Sequence, residues 1–62
     1  MRNFSIKLAE DQLLFNNFFI IDYSKSYKNK ISIFDINNNF YGDYYNIISA
    51  KFDIINNNLT KF

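Results

Sequence analysis

Short apolar runs recur along this chain, and asparagine interrupts them. Phe4, Ile6 and Leu8 alternate with Asn3, Ser5 and Lys7, the period-two pattern of a half-buried strand. Residues 18–24 read as a second strand, and further apolar-rich runs lie at 31–36, 40–45 and 47–55. Between them stand Asn16-Asn17, Asn37-Asn38-Asn39 and Asn56-Asn57-Asn58. Asparagine tolerates the left-handed backbone of tight turns better than any other residue with a side chain, so three clusters predict three hairpins. The stretch AEDQLLF at 9–15 fits either a turn followed by a short strand or one to two helical turns opening at Glu10 and Asp11.

Two of the three hairpins share a design, since FDINNNF at 34–40 recurs as FDIINNNL at 52–59. A three-residue loop at 56–58 sets Ile55 opposite Leu59, Ile54 opposite Thr60, Asp53 opposite Lys61 and Phe52 opposite Phe62, giving an ion pair and an aromatic pair across the strands. The same construction in the middle of the chain pairs Ile36 with Phe40, Asp35 with Tyr41, Phe34 with Gly42, Ile33 with Asp43, Ser32 with Tyr44 and Ile31 with Tyr45. Phe34 then covers the chain's one glycine.

Residues 44–55 admit a second reading, a helix capped by Asp43 with Tyr44, Ile48, Phe52 and Ile55 along its apolar face. Lys51 intrudes on that pattern and the segment is rich in poor helix formers, so strands are preferred. The expected fold is all-β, one domain over 1–62: an antiparallel meander of five to seven short strands closing into a small barrel or compact sandwich. The alternative is α+β with a helix at about 44–55.

Composition removes most chemistry. Without cysteine or histidine there are no disulfides, thiolates, ordinary zinc sites or histidine-based triads. Asp35, Asn37, Asn39 and Asp43 have the spacing of an oxygen-rich calcium loop, but Phe40 stands where the loop needs glycine and Asn46 where it needs glutamate. No metal, no cofactor and no enzymatic activity are therefore expected. A net charge of +1 commits the chain to neither nucleic acid nor an anionic surface as a whole. No apolar run is long enough to span a bilayer and Met1-Arg2-Asn3 leads into no signal core, so a cytoplasmic protein without membrane contact is expected. The richness in Asn, Ile, Phe, Lys and Tyr follows adenine- and thymine-rich codons, so the tyrosine excess is not by itself a functional signal.

One basic segment stands out. In YSKSYKNK, Lys25, Lys28 and Lys30 are interleaved with Tyr23 and Tyr27, the combination of phosphate-tracking cations and stacking rings with which small barrels hold single-stranded nucleic acid.

The middle hairpin supplies the main functional expectation. Its expected core face carries Ser32, Phe34, Ile36, Phe40, Gly42 and Tyr44, and its outer face Ile31, Ile33, Asp35, Tyr41, Asp43 and Tyr45. Tyrosines and isoleucines among carboxylates make a recognition surface. The chain is thus expected to be a protein-binding module that occupies a site on a larger protein, as small inhibitors encoded by viruses or mobile elements do against host proteins. A homo-oligomeric structural protein and a nucleic-acid binder acting through residues 23–30 are the alternatives.

Overall fold

Asn16 (φ 60°) and Asn17 (φ 59°) are both left-handed, the backbone of a primed turn whose twist suits a hairpin. That turn joins β1 (Gln12–Phe15) to β2 (Phe19–Asp22), with Phe15 opposite Phe19 and Leu13 opposite Ile21. The computed structural model describes residues 7–61. The segment that reads as a turn or a helix at 9–15 resolves as a turn at Glu10-Asp11 followed by β1. Most of the strand expected around Phe4, Ile6 and Leu8 lies outside the described residues, and so does Phe62 of the expected Phe52–Phe62 pair.

From β2 the chain passes through a single 3-10 turn at Ser26–Lys28, closed by left-handed Asn29, into β3 (Ile31–Asp35). β3 pairs with β2 on one side and with β4 (Phe40–Tyr44) on the other. The described sheet therefore has four antiparallel strands in sequence order, β1-β2-β3-β4. It is a meander, as expected, but it has fewer strands than expected and does not close into a barrel.

The register of the middle hairpin differs from the expected one. Phe34 faces Phe40, Ile33 faces Gly42, Ser32 faces Asp43 and Ile31 faces Tyr44, with a bulge beside Ile33 and Phe34. The cause is Asp35. Its Oδ1 accepts the backbone N–H groups of Asn37 (2.8 Å) and Asn39 (2.9 Å), which widens the turn and draws Ile36 out of the ladder. The Ile36 N–H instead donates to the Phe18 carbonyl at 2.9 Å. Tyr41 becomes the extra residue of the bulge, and Gly42 takes φ 122°, a value open to glycine. The slip moves Asp43 from beside Ile33 to beside Ser32 and brings Tyr44 beside Ile31. The core lies on the face of Ile31, Ile33, Asp35, Tyr41 and Tyr44, because the C-terminal helix packs on Ile33 there, while Ser32, Phe34, Phe40 and Asp43 lie on the other.

The second correction is a helix, α1 (Ile47–Ile55), in place of the expected C-terminal strand pair. Its cap is Asn46, not Asp43: the Asn46 side chain accepts from the N–H groups of Ile48 (2.7 Å) and Ser49 (3.3 Å). At the other end Asn57 (φ 58°) donates its N–H to the Ile54 carbonyl and Asn58 donates to the Asp53 carbonyl, the paired bonds of a Schellman cap. Leu59 then folds back on the core. The third asparagine cluster thus ends a helix and does not turn a hairpin. Asn57 holds a conformation that disfavours any residue with a Cβ except asparagine or aspartate, so Asn57→Ala is expected to cost about 1 kcal/mol and Asn57→Gly to be neutral or stabilising. Chemical denaturation of the two variants checks this.

Ala50 and Ile54 of α1 are buried against Ile21 of β2 and Ile33 of β3, with Phe15, Phe19, Tyr23, Ile31, Tyr41, Tyr44, Ile47 and Leu59 packed around them. Lys51 is accommodated because its ammonium lies over the Phe15 ring, 5.3 Å from the centroid.

Candidate interaction surface

The apolar residues of α1 form two stripes, and one of them stays uncovered. Ile47, Ala50 and Ile54 face the sheet. Ile48, Phe52 and Ile55, spaced i, i+4 and i+7, project from a face turned roughly 130° away at 100° per residue. They are 74%, 60% and 66% exposed, and nothing among the described residues packs over them. Tyr45, just before the helix, is 73% exposed as well. Lone exposed isoleucines are ordinary on protein surfaces; a continuous stripe of three on one helix, apolar on its inner side too, is not.

Of the two charged residues of α1, Lys51 borders this stripe, one turn from Ile48 and Ile55, and Asp53 lies away from it. Lys51 is held over Phe15, and Asp53 accepts the Tyr44 hydroxyl at 2.6 Å. Burial, with the hydrogen bond to Asp53 and that carboxylate's charge added, pushes the Tyr44 hydroxyl up to about 12, so it remains a donor to Asp53 through neutral pH. The edge of the stripe opposite Lys51 is bordered by Ser49 and Asn56, and the first helical turn holds no acid and the last no base.

The residues singled out in the middle hairpin are scattered by the register. Ile33 and Asp35 are buried, out of reach of any partner. Ile31, Tyr41 and Tyr44 are half-buried against the core, and the Tyr41 ring packs edge-on to Phe19 at 5.3 Å. Asp43 is exposed on the opposite sheet face, where it accepts the Ser32 hydroxyl at 2.6 Å. Of the six, Tyr45 is exposed just before α1 and lines a hollow with the basic loop.

Asp35 serves the fold. Besides the two backbone N–H groups on Oδ1, its Oδ2 accepts Asn39 Nδ2 and the Tyr41 hydroxyl, each at 2.9 Å. Burial pulls the Asp35 carboxyl upward, but the hydrogen bonds from Asn39, Tyr41 and Asn37 outweigh it and bring it down to about 2. The same carboxylate raises Tyr41, through its hydrogen bond first, then burial and charge. Both oxygens are engaged and no buried side-chain nitrogen or oxygen lacks a partner among the described residues, so the set has no polar group left aimed at a ligand. The spacing Asp35, Asn37, Asn39, Asp43 is not brought together as a cation cage: Asp35 organises the turn, and Asp43 lies on the other face.

The basic loop does gain a neighbour that its sequence did not announce. Tyr23, Ser26, Asn29, Lys30, Ile31 and Tyr45 line an open hollow of about 200 Å³. Lys28 lies 5.6 Å from the centroid of the Tyr27 ring, which is otherwise exposed, and Lys25 is exposed beside them. Asp22, at the foot of this loop, is lowered: burial opposes the shift, and hydrogen bonds from Ser24 and Gln12 with the charge of Lys25 outweigh it. Among the described residues no helix is long and apolar enough to cross a membrane.

The exposed stripe was present in the sequence as the i, i+4, i+7 spacing of Ile48, Phe52 and Ile55, read there as the inner face of an alternative helix. What hid its exposure is that Ile47, Ala50 and Ile54 offer an equally apolar face with a smaller central residue, and Ala50 lets the helix approach the sheet closely. No family model, no curated protein and no solved structure matches this chain, so its surface is read from its own residues.

Proposed function

We propose that this chain is a non-enzymatic protein-binding module whose contact surface is the outer face of α1. The observation that supports the reading is the uncovered stripe of Ile48, Phe52 and Ile55. A helix that presents apolar anchors at i, i+4 and i+7 is a common unit of protein recognition, and one central aromatic usually carries much of the affinity. The surface moves from the sheet, where the sequence placed it, to the helix. Occupying a site requires only such a face, which suits a domain with no histidine or cysteine and with Asp22, Asp35, Asp43 and Asp53 all engaged in internal hydrogen bonds.

The test compares the chain with Phe52→Glu. Phe52 is largely exposed, so the variant is expected to keep its circular dichroism spectrum and melting temperature while losing binding at least 100-fold, the penalty for placing a charge in a desolvated contact. Binding is measured by calorimetry between purified components: the chain with itself, and the chain with any protein retained by it and identified. Retention unchanged by Phe52→Glu overturns the assignment. Single-stranded nucleic acid bound in its place, and released by charge reversal of Lys25, Lys28 and Lys30, assigns function to the Tyr23–Tyr45 hollow instead.

A further inference from the structure

We infer that the hollow beside the β2–β3 loop is a site for single-stranded nucleic acid, separate from the protein contact of α1, with one base seated against Tyr45 and a neighbouring base stacked on Tyr27. Two rings carry the inference. Tyr27 and Tyr45 are 77% and 73% exposed, and the core is packed without either of them. Tyr45 follows β4 and reaches the hollow from a segment distant in the chain, so the fold makes this site and not the basic loop alone. The loop is also ordered in advance. The Lys25 carbonyl accepts the N–H groups of Lys28 (2.9 Å) and Lys30 (3.2 Å), and the Ser26 carbonyl accepts that of left-handed Asn29 (2.8 Å). Three backbone bonds thus gather the three lysines on one short turn, with little ordering left for a ligand to impose.

Charge sets the sign of the ligand. Lys30 lines the hollow, Lys25 and Lys28 are exposed beside it, and no carboxylate lines it. Asp22 is turned to the other face of the sheet, where Gln12 and the Ser24 N–H hold it; Asp43 is taken by Ser32 and Asp53 by Tyr44. Asp11, whose carbonyl accepts the Tyr23 N–H, is exposed outside the lining. Cations beside free aromatic faces suit a ligand that alternates phosphates with flat rings. Size then separates a strand from a small molecule. At about 200 Å³ the hollow is below the roughly 300–1,000 Å³ of sites that enclose a whole small ligand, so it takes one ring of something longer. Tyr27, on the same turn but outside the hollow, offers the next ring its platform.

Fluorescence anisotropy of a labelled thymidine oligomer of about eight nucleotides, titrated with the full chain, tests the inference. At about 20 mM salt it is expected to bind with a Kd of about 1–100 µM, and log affinity to fall against log salt with a slope of about −2, roughly −0.7 for each of three lysines. Tyr45→Ser and Tyr27→Ser, at exposed positions, are expected to keep the circular dichroism spectrum and to weaken binding about 5–100-fold each. Tyr45→Phe is expected to bind as the wild-type chain does, because the ring face is what stacks. Replacing Lys25, Lys28 and Lys30 together by glutamine is expected to flatten the salt slope toward zero. Phe52→Glu is expected to leave the oligomer bound, which separates this site from the α1 contact. Equal binding by an abasic oligomer, or by an acidic peptide of the same charge, would mean that charge alone is recognised and overturns the inference. So does binding that neither tyrosine variant weakens, binding lost in folded Phe52→Glu, or no change in anisotropy at low salt.

Discussion

Ile33→Ala is expected to leave this chain largely unfolded at room temperature. Ile33 is fully buried at the centre of the sheet, opposite Gly42 and beneath Ala50 and Ile54, and it is one of four buried apolar residues among those described. An isoleucine-to-alanine change in a core costs about 2–5 kcal/mol, the higher values where the surroundings cannot collapse into the cavity. Gly42 has no side chain with which to fill the gap. A domain of this length has roughly 3–9 kcal/mol of stability in all, so a loss of about 5 kcal/mol, the upper end for this change, removes half or more of it. Denaturant melts should show the transition moved to little or no denaturant. Ile48→Ala is the control: the position is 74% exposed, so the change is expected to stay within about 0.5 kcal/mol in the monomer. Equal losses at the two positions would mean that the core is not where the packing places it.

Asp35→Ala should lower the melting temperature by about 10 °C and remove much of the acid sensitivity of the fold. The alanine leaves the backbone N–H groups of Asn37 and Asn39, the Asn39 amide and the Tyr41 hydroxyl without their shared acceptor. With its folded-state value lowered to about 2, the Asp35 carboxylate contributes stability that is fully present above its unfolded value near 4. That contribution is lost as pH falls from about 4 through about 2. Thermal melts at pH 7, 4 and 2 are thus expected to separate the wild-type chain from the variant widely at pH 7 and little at pH 2. A constant gap across the series would mean that the carboxylate acts through its shape alone.

These two residues also mark where the sequence could and could not be read. Alternation located β3 and β4, and the asparagine clusters located the first two turns, because burial of one sheet face and the left-handed backbone each leave a direct trace in residue type. The register left no such trace. It depended on the Asp35 side chain widening its turn and on the bulge at Tyr41-Gly42, which gave Asp43 and Tyr44 other partners on β3, while Ile33 and Asp35 became core because α1 docks on their face of the sheet. The helix was hidden for a different reason. Residues 47–55 are poor helix formers by propensity, which is a weak prior, and what secures them is Asn46 at one end, the Asn57 cap at the other and the docking of Ala50 and Ile54. Asn56-Asn57-Asn58 looked like the other turns because a helix C-cap and a hairpin call for the same left-handed residue.

The strand order carries a kinetic consequence. Every described rung of the ladder joins strands adjacent in the chain, and only the docking of α1 on Ile21 and Phe15 has to close a longer loop. Loop-closure entropy is correspondingly low, and a chain without proline has no slow isomerisation of that bond to wait for. Refolding in a single fast phase follows, and a domain with so thin a margin can open often and still spend little time open.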